Sequence, residues 1–136
     1  MENKAAFSLE NYFFSKVNID IENKKSSEIE ISFEPSGKFL SESTVYELKF
    51  IFKALTDGSD FPFVTIECLA TFKFENIKNL DEIPTYFYRN SIAIIFPYVR
   101  AFISTVTLQA NIPPVILPTM NLSSLEKPLR ENTTQI

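Results

Sequence analysis

The sequence predicts an α+β fold in which four antiparallel strands are followed by one long and one short helix. Apolar and polar residues alternate with a period of two through the first half of the chain, which is typical of half-buried strands. From Ile92 onward the apolar spacing changes to three and four, which is typical of a helix. The length of 136 residues is that of one domain.

The first two predicted strands are short. Their apolar positions are Val17, Ile19 and Ile21 in the first, and Ile29, Ile31 and Phe33 in the second. Residues 12–14 form an apolar entry to the first strand. Pro35 and Gly37 are expected to end the second strand, because proline cannot donate to a strand ladder and glycine favours turns. Residues 35–43 then form a loop that contains Phe39 and Leu40.

The third and fourth predicted strands are longer and cover residues 44–56 and 61–75. The turn between them contains Gly58, which tolerates a positive φ. Short turns between successive strands favour antiparallel pairing. The residues expected on one shared face are Tyr46, Leu48, Phe50, Phe52 and Ala54, followed by Val64, Ile66, Cys68, Ala70, Phe72 and Phe74.

The long helix is predicted from one apolar stripe, formed by Ile92, Ile95, Phe96, Val99, Phe102, Ile103 and Val106. Pro97 either kinks this helix or lies in its first turn. Pro113, Pro114 and Pro118 enforce an extended connection. A short last helix is expected to run through Leu125 and to stop before Pro128. The predicted organisation is a flexible N-terminus over residues 1–10, one domain over 11–126 and a flexible tail over 127–136.

The composition excludes most catalytic chemistry. The chain contains no histidine and one cysteine, which leaves no catalytic histidine, no internal disulfide and no Cys/His zinc site. We therefore expect a protein that is not an enzyme and that uses no cofactor and no metal. The net charge of −4 argues against nucleic acid as a partner, since nucleic acid requires a basic patch.

The chain also lacks the usual signs of a membrane or secreted protein. No apolar run reaches the roughly 18 residues of a membrane-spanning helix, and no apolar stretch follows the first residues as in a secretory signal. We therefore expect a cytoplasmic protein without membrane insertion. The 14 phenylalanines and 5 tyrosines exceed what a small core needs, which favours binding or self-association.

One stretch is more specific than the strands. Residues 94–100 read Ile-Ile-Phe-Pro-Tyr-Val-Arg, Ile103-Ser104 follows, and a proline-bounded turn then leads to Leu117-Pro118 and Asn121-Leu122. This succession resembles the SecB family of bacterial export chaperones over roughly residues 11–125. The segment Val45-Tyr46-Glu47-Leu48 is similar to the family's third strand.

The resemblance implies an antiparallel sheet with the helices packed on one face, and a homo-oligomer that is a dimer or a dimer of dimers. It implies an ATP-independent holdase chaperone, which binds non-native polypeptide clients in an apolar groove, without a covalent step, and releases them to a translocase ATPase. The client-binding positions implied are Ile29, Ile31, Phe33, Val64, Ile66 and Cys68, with Phe39 and Leu40 as loop contacts. The alternative for the strand residues is burial in the core beneath the helix. For Phe39 and Leu40 the alternative is a loop that is anchored to its own core.

The resemblance also bears on partner docking, since acidic residues on the family's sheet help to bind the translocase. Lys16 and Thr65 stand at two such positions, whereas Asp20 remains acidic and Glu22 and Glu67 are further candidates. We therefore expect weak or absent translocase binding. Divergent members of the family serve toxin–antitoxin systems, so a dedicated chaperone of one partner such as an antitoxin stays an alternative.

Three further expectations complete the sequence reading. A domain that holds a small hydrophobic ligand in a closed cavity between sheet and helix is a third functional hypothesis. Cys68 is expected to be a buried, unreactive thiol, because it lies between apolar neighbours on its face. Arg100 is expected to form a structural ion pair or to donate to a backbone carbonyl, with a contact to a partner as the alternative.

Overall fold

The computed structural model describes residues 6–117 and 120–136. Five strands form one sheet, and two α-helices and three short 3-10 helices complete the chain. The strands are β1 (Ala6–Ile19), β2 (Ile29–Leu40), β3 (Val45–Thr56), β4 (Val64–Glu75) and β5 (Thr133–Gln135). The α-helices are α1 (Thr85–Gln109) and α2 (Glu126–Glu131), and the 3-10 helices are Ile21–Asn23, Leu80–Glu82 and Leu122–Leu125. The predicted α+β class is confirmed, with five strands where the sequence predicted four.

The sheet has the order β1-β4-β3-β2-β5, so β3 and β4 occupy its middle. All pairs among the first four strands are antiparallel, whereas β5 pairs with β2 in parallel. The predicted alternation of β3 and β4 is confirmed, because the apolar face of each strand is buried. Cross-strand neighbours such as Phe50 and Cys68 form the core beneath α1. The turn glycine Gly58 has a φ of 84°, as its position predicted.

β1 begins at Ala6 and not at the predicted Asn11, so at least residues 6–10 are part of the sheet. Residues 1–5 of the predicted flexible N-terminus lie outside the described residues. Two register shifts interrupt the pairing of β1 with β4, one between Leu9 and Asn11 and one between Phe14 and Lys16. After each bulge the side chains that faced one side of the sheet face the other. The residues of β1 therefore do not alternate strictly, and the length of the strand could not be predicted from alternation.

β2 continues to Leu40, so the predicted loop over residues 35–43 is wrong for most of its length. Pro35 is tolerated because its nitrogen lies on the side of β2 that faces away from β3. This side follows from Gly37, two residues on, whose N–H bonds to Asn132 O beyond β2. Gly37 also leaves room for the Tyr46 hydroxyl, which a Cβ at position 37 would overlap.

α1 runs for 25 residues, far beyond the predicted Ile92–Val106, and Pro97 lies inside it. Pro97 follows the first helical residue by twelve positions, so it is not in the first turn. By length and composition α1 also meets the criteria for a membrane-spanning helix, with a mean hydropathy of 1.6, contrary to the sequence prediction. A core helix meets the same criteria, and α1 buries nine side chains within this fold.

The residues after α1 return to the sheet. Residues 113–117 form no regular element, as the prolines predicted, and Pro118 lies outside the described residues. Asn121 caps Leu122–Leu125 by accepting a bond from Ser123 N at 3.1 Å. Residues 127–136 are not a free tail, because α2 buries Leu129 completely and β5 pairs with β2. Pro128 is the third residue of α2, where a backbone N–H would have no helical acceptor.

Candidate functional site

An open groove lies between the second half of α1 and the extended segment 113–117. Its volume is about 570 Å³. Two hydrogen bonds hold the segment beside the helix: Thr107 Oγ1 accepts from Val115 N at 2.9 Å, and Ser104 Oγ donates to Val115 O at 3.3 Å. Residues 113–114, both proline, cannot continue the helix at this point. The groove is lined by Phe96, Pro97, Arg100, Ala101, Ser104, Thr105, Leu108, Pro114 and Ile116.

Large apolar side chains form the rim of this groove. Val115 and Leu117 of the extended segment are buried, whereas Ile116 points outward and is 70% exposed. Leu108 is 58% exposed on the helix side. Contiguous exposed apolar surface in a water-soluble domain indicates association with another apolar surface. The groove can therefore accept apolar side chains of a partner.

The groove connects to the sheet through Phe96. The Phe96 ring contacts the Phe33 ring of β2 edge-on, with 5.9 Å between centroids, and Phe33 stacks on Phe50 at 5.2 Å. Phe33 is half-buried. Ile31 is also half-buried, and Ile29 is 40% exposed. The three predicted client-binding residues of β2 therefore form a partly exposed apolar row that leads away from Phe96.

Four other predicted client-binding residues belong to the core. Phe39, Val64, Ile66 and Cys68 are at most 1% exposed, because α1 and its neighbours cover this face of the sheet. They are not accessible to a client in this structure, which agrees with the alternative of burial in the core. Leu40 is half-buried at the far end of β2 and is not in the groove lining. The buried Cys68 thiol fits the predicted structural role, since burial raises its pKa to about 11.

Comparisons with known proteins place this geometry in a family. Residues 5–130 match the family described as preprotein translocase subunit SecB. The chain belongs to the SecB family. The structure of the SecB-like chaperone Rv1957 of Mycobacterium tuberculosis, solved with a peptide from the antitoxin HigA1, has a TM-score of 0.69 at 14% identity. The match covers 85% of this chain and 88% of that one, and it shows the shared fold.

A further relative is the uncharacterized protein MJ0357 of Methanocaldococcus jannaschii, 49% identical over 65 residues. The match covers 44% of this chain and 42% of the length of that protein. Membership in the SecB family and the shared fold support a chaperone role for this protein. The family is non-enzymatic, and the residues that the structure describes contain no group of three metal-ligating side chains.

The predicted docking acids lie in two different settings, a turn and a strand. Asp20 and Glu22 are exposed at the turn after β1, where Asp20 accepts a bond from Glu22 N at 3.2 Å. Glu67 lies in the middle of β4, on the sheet face that points away from α1. Lys49 and Lys16 cover its carboxylate, with N–O distances of 3.4 and 3.8 Å, and Ser15 donates to it at 3.0 Å.

Glu67 therefore presents no free negative charge on this face. Burial acts to raise its pKa, but the hydrogen bonds from Ser15 and Lys49 and the charges of Lys16 and Lys49 outweigh burial, so the pKa is lowered. The residue is only 6% exposed because its neighbours lie over it, not because it is deep in the protein. Lys16, which stands where the resemblance implies an acid, is one of those neighbours.

Sequence reasoning missed the part of the groove beyond Phe96. Pro97 and Arg100 belong to the stretch that carried the family resemblance, but they were assigned to the helix and not to a site. Ile116 was missed because it is the middle of three consecutive apolar residues between prolines, and so short a run has no period that shows which side chain is exposed. The available signal was Leu108, an apolar residue outside the predicted helical stripe.

Arg100 lies in the groove lining. Among the described residues Arg100 has neither a hydrogen bond nor an ion pair that would support the expected structural role.

Proposed function

We propose that this protein is an ATP-independent holdase that binds non-native polypeptide in the groove between α1 and residues 113–117. The open apolar groove, with Leu108 and Ile116 exposed at its rim, is the observation that carries the proposal. An extended client segment that covers these side chains gains roughly 25 cal/mol per Å² of apolar surface removed from water, before its own ordering is subtracted. The binding involves no covalent step.

The geometry favours a polypeptide over a small enclosed ligand. A closed cavity between sheet and helix was the sequence-based alternative, but the apolar space beside α1 is an open groove on the outer side of the helix. The interior between sheet and α1 is filled by aromatic contacts, such as Phe87 against Tyr46 at 4.7 Å. We propose a cytoplasmic location, in keeping with clients that have not yet folded.

Aggregation of a chemically unfolded test protein, followed by light scattering without ATP, tests the holdase proposal. We expect the wild-type protein to suppress aggregation. The double variant Leu108→Ser with Ile116→Ser is expected to require about tenfold more protein, because each change removes apolar area worth up to about 1.5–3 kcal/mol when fully buried. Phe61→Ser is the matched control, since Phe61 is 66% exposed at the β3–β4 turn and outside the groove.

Two outcomes contradict the proposal. Unchanged aggregation in the presence of excess wild-type protein rules out a general holdase. Equal loss of suppression in the groove variant and the Phe61 control places the activity elsewhere than in the groove.

A second candidate function is a dedicated chaperone of one partner. The covered carboxylate of Glu67 favours it, because the sheet lacks the free acidic surface that a translocase would meet at this position. Rv1957, which shares the fold, was solved with an antitoxin peptide, and this supports proposing an antitoxin as the partner. Several unrelated unfolded proteins distinguish the two: a general holdase protects all of them, and a dedicated chaperone protects few or none.

A further inference from the structure

The sheet face that points away from α1, called the outer face below, carries three apolar side chains in its middle. Phe13 of β1 stands opposite Leu69 of β4, and Ile51 of β3 stands opposite Glu67 of β4. Phe13 is 49% exposed, whereas Leu69 and Ile51 are half-buried. Neighbouring strands lie about 4.8 Å apart, so opposite and diagonal side chains on this face reach one another. The three apolar residues therefore form one partly exposed cluster.

Two lysines border this cluster. Lys49 of β3 stands opposite Leu69, and Lys16 of β1 stands opposite Glu67. Both lysines approach the same carboxylate, that of Glu67, at 3.4 and 3.8 Å. The side chains of Lys49 and Lys16 are 48% and 78% exposed, whereas Glu67 is covered. A molecule that reaches the cluster from solvent therefore meets the two lysines and not the carboxylate.

The neighbouring acids of the outer face do not reverse this sign. Glu34 accepts from Lys53 at 2.7 Å, and Glu47 stands opposite Lys38. Each of these two acids has one lysine beside it, whereas Glu67 has two. A hydrated lysine needs no counterion, so the charge by itself does not indicate a ligand. The exposed apolar side chains indicate contact with another molecule, and the lysines determine which charge that molecule carries.

We propose that this part of the outer face docks an acidic segment of a partner protein. The docking surface, called the outer patch, consists of Phe13, Lys16, Lys49, Ile51 and Leu69. A large apolar side chain of the segment packs on Phe13 and Leu69, and carboxylates beside it pair with the lysines. Opposite charges around an apolar contact steer the encounter and fix its orientation more than they add affinity. The client groove lies beside α1, on the other side of the sheet, so the two surfaces do not overlap.

The size of the charge favours a polypeptide over a nucleic acid or a membrane. Nucleic acids and anionic lipid surfaces are bound by extended basic surfaces. Lys16, Lys49 and Glu67 together leave an excess of one positive charge, in a chain with a net charge of −4. A polypeptide segment that carries a few acids around an apolar side chain matches both this small excess and the apolar cluster.

Amide chemical shifts of the isotope-labelled protein measure both the affinity and the place of binding. The probes are three acetylated and amidated peptides of about nine residues, which span about 30 Å when extended. Each has a central phenylalanine in a Gly/Ser background, with Glu, Gln or Lys at two positions on either side of it. We expect the Glu peptide to shift the amides of the outer patch. It should bind about two- to fivefold more tightly than the Gln peptide at low salt, and the Lys peptide should bind most weakly.

Three charge variants assign this preference to the outer patch. Lys16→Gln is expected to make the Glu and Gln peptides bind equally, because Glu67 then matches Lys49 alone. Glu67→Gln is expected to strengthen binding of the Glu peptide about two- to fivefold, because it releases both lysines. Glu131→Gln is the matched control, since it changes the net charge equally and releases Lys127, its partner at 3.8 Å in α2. This control should leave the three affinities unchanged.

Phe13→Ser tests the apolar part of the contact. We expect it to weaken all three peptides about fivefold through the loss of buried apolar area, and to keep their order because the lysines remain. Phe13 is half exposed, so the amide spectrum of the variant should be that of the folded protein. A lower oligomeric mass in Phe13→Ser would assign this residue to a contact between copies and would overturn the docking surface.

The remaining outcomes keep this inference apart from the proposed function. Equal affinities for the Glu and Gln peptides overturn the acidic partner. An equal gain in Glu67→Gln and Glu131→Gln also overturns it, because that gain would reflect overall charge alone. Shifts confined to α1 and residues 113–117 would place the peptides in the client groove and not on the sheet. Tighter binding of a short single-stranded DNA than of the Glu peptide would indicate a nucleic acid instead. Each of these results leaves the holdase assay unaffected.

Discussion

At the scale of single residues, Glu67 shows how a charge is neutralised on a sheet surface. The bulge in β1 between Phe14 and Lys16 brings Ser15 to the carboxylate, which Lys16 and Lys49 also approach. The lysine side chains are 78% and 48% exposed, so they remain hydrated and each pair adds little to stability. The cluster keeps a carboxylate covered without burying the lysine charges with it.

Glu67→Gln is expected to lower the free energy of unfolding at neutral pH by about 1 kcal/mol, through the loss of charge-assisted bonds. Folding lowers the pKa of Glu67, so its stabilisation is complete above the unfolded pKa of about 4.3 and is lost as the pH falls through the folded value. Urea unfolding of both proteins across this acid range measures the difference. We expect it to shrink toward acid pH. A difference that stays constant with pH would contradict the role assigned to the carboxylate.

At the scale of elements, the sequence predicted what local periodicity encodes. β3 and β4 were predicted because their alternation is uninterrupted. β5 was missed because its residues are polar and pair with β2 from far along the chain. For the site, Phe33 contacts Phe96 at the groove and Ile66 is buried. The sequence could not distinguish the two, because periodicity identifies an apolar face but not the part of it that a helix covers.

A chain of hydrogen bonds anchors β5. Thr133 Oγ1 donates to Leu129 O at 2.7 Å, so the buried Tyr46 hydroxyl, 2.7 Å away, is the donor to Thr133 Oγ1. Burial is the main cause that raises the pKa of Tyr46, which therefore stays protonated and able to donate. The order of these bonds determines which substitution is costly.

Thr133→Val is expected to lower the free energy of unfolding by about 1–3 kcal/mol, because it leaves the Tyr46 hydroxyl buried without an acceptor. Tyr46→Phe alone should cost only about 0.5–1.5 kcal/mol, since Thr133 keeps its bond to Leu129. In the double variant neither hydroxyl remains. The loss of unfolding free energy in the double variant should therefore be smaller than the sum of the losses in the two single variants. Chemical denaturation of the wild type, the two single variants and the double variant gives the double-mutant cycle. Strict additivity would show that the two hydroxyls do not interact.

At the scale of the whole molecule, the two flanks of α1 differ. On one flank Phe96 contacts Phe33 of β2 and leads to the groove. On the other, Tyr98 and Phe102 stack on Tyr12 and Phe14 of β1 at 4.5 and 3.9 Å. Beyond that flank β1 is the last strand of the sheet, and no described strand pairs with its outer side. The groove and the unpaired edge of β1 thus lie on opposite sides of the same helix.

We propose a homo-oligomer that uses the β1 side. Phe13, Val17 and Ile21 are 43–49% exposed there, and the open strand edge offers unpaired backbone groups. Because a closed symmetric assembly removes such an edge from solvent, light scattering at micromolar concentration is expected to give a mass above that of one chain. Val17→Lys should reduce the mass to a monomer. Ile136→Lys is the control, since Ile136 is 67% exposed away from β1, and it should leave the mass unchanged.

A monodisperse wild-type monomer would contradict this assembly and would leave the β1 edge for another protein. Equal dissociation by Val17→Lys and Ile136→Lys would place the contact elsewhere. Peptide binding measured on the Val17→Lys monomer then asks whether one chain forms a complete groove. The groove lining given by α1 and residues 113–117 comes from a single chain, so we expect the monomer to bind a single apolar peptide as the oligomer does. Long unfolded clients, which can contact several grooves at once, should lose affinity.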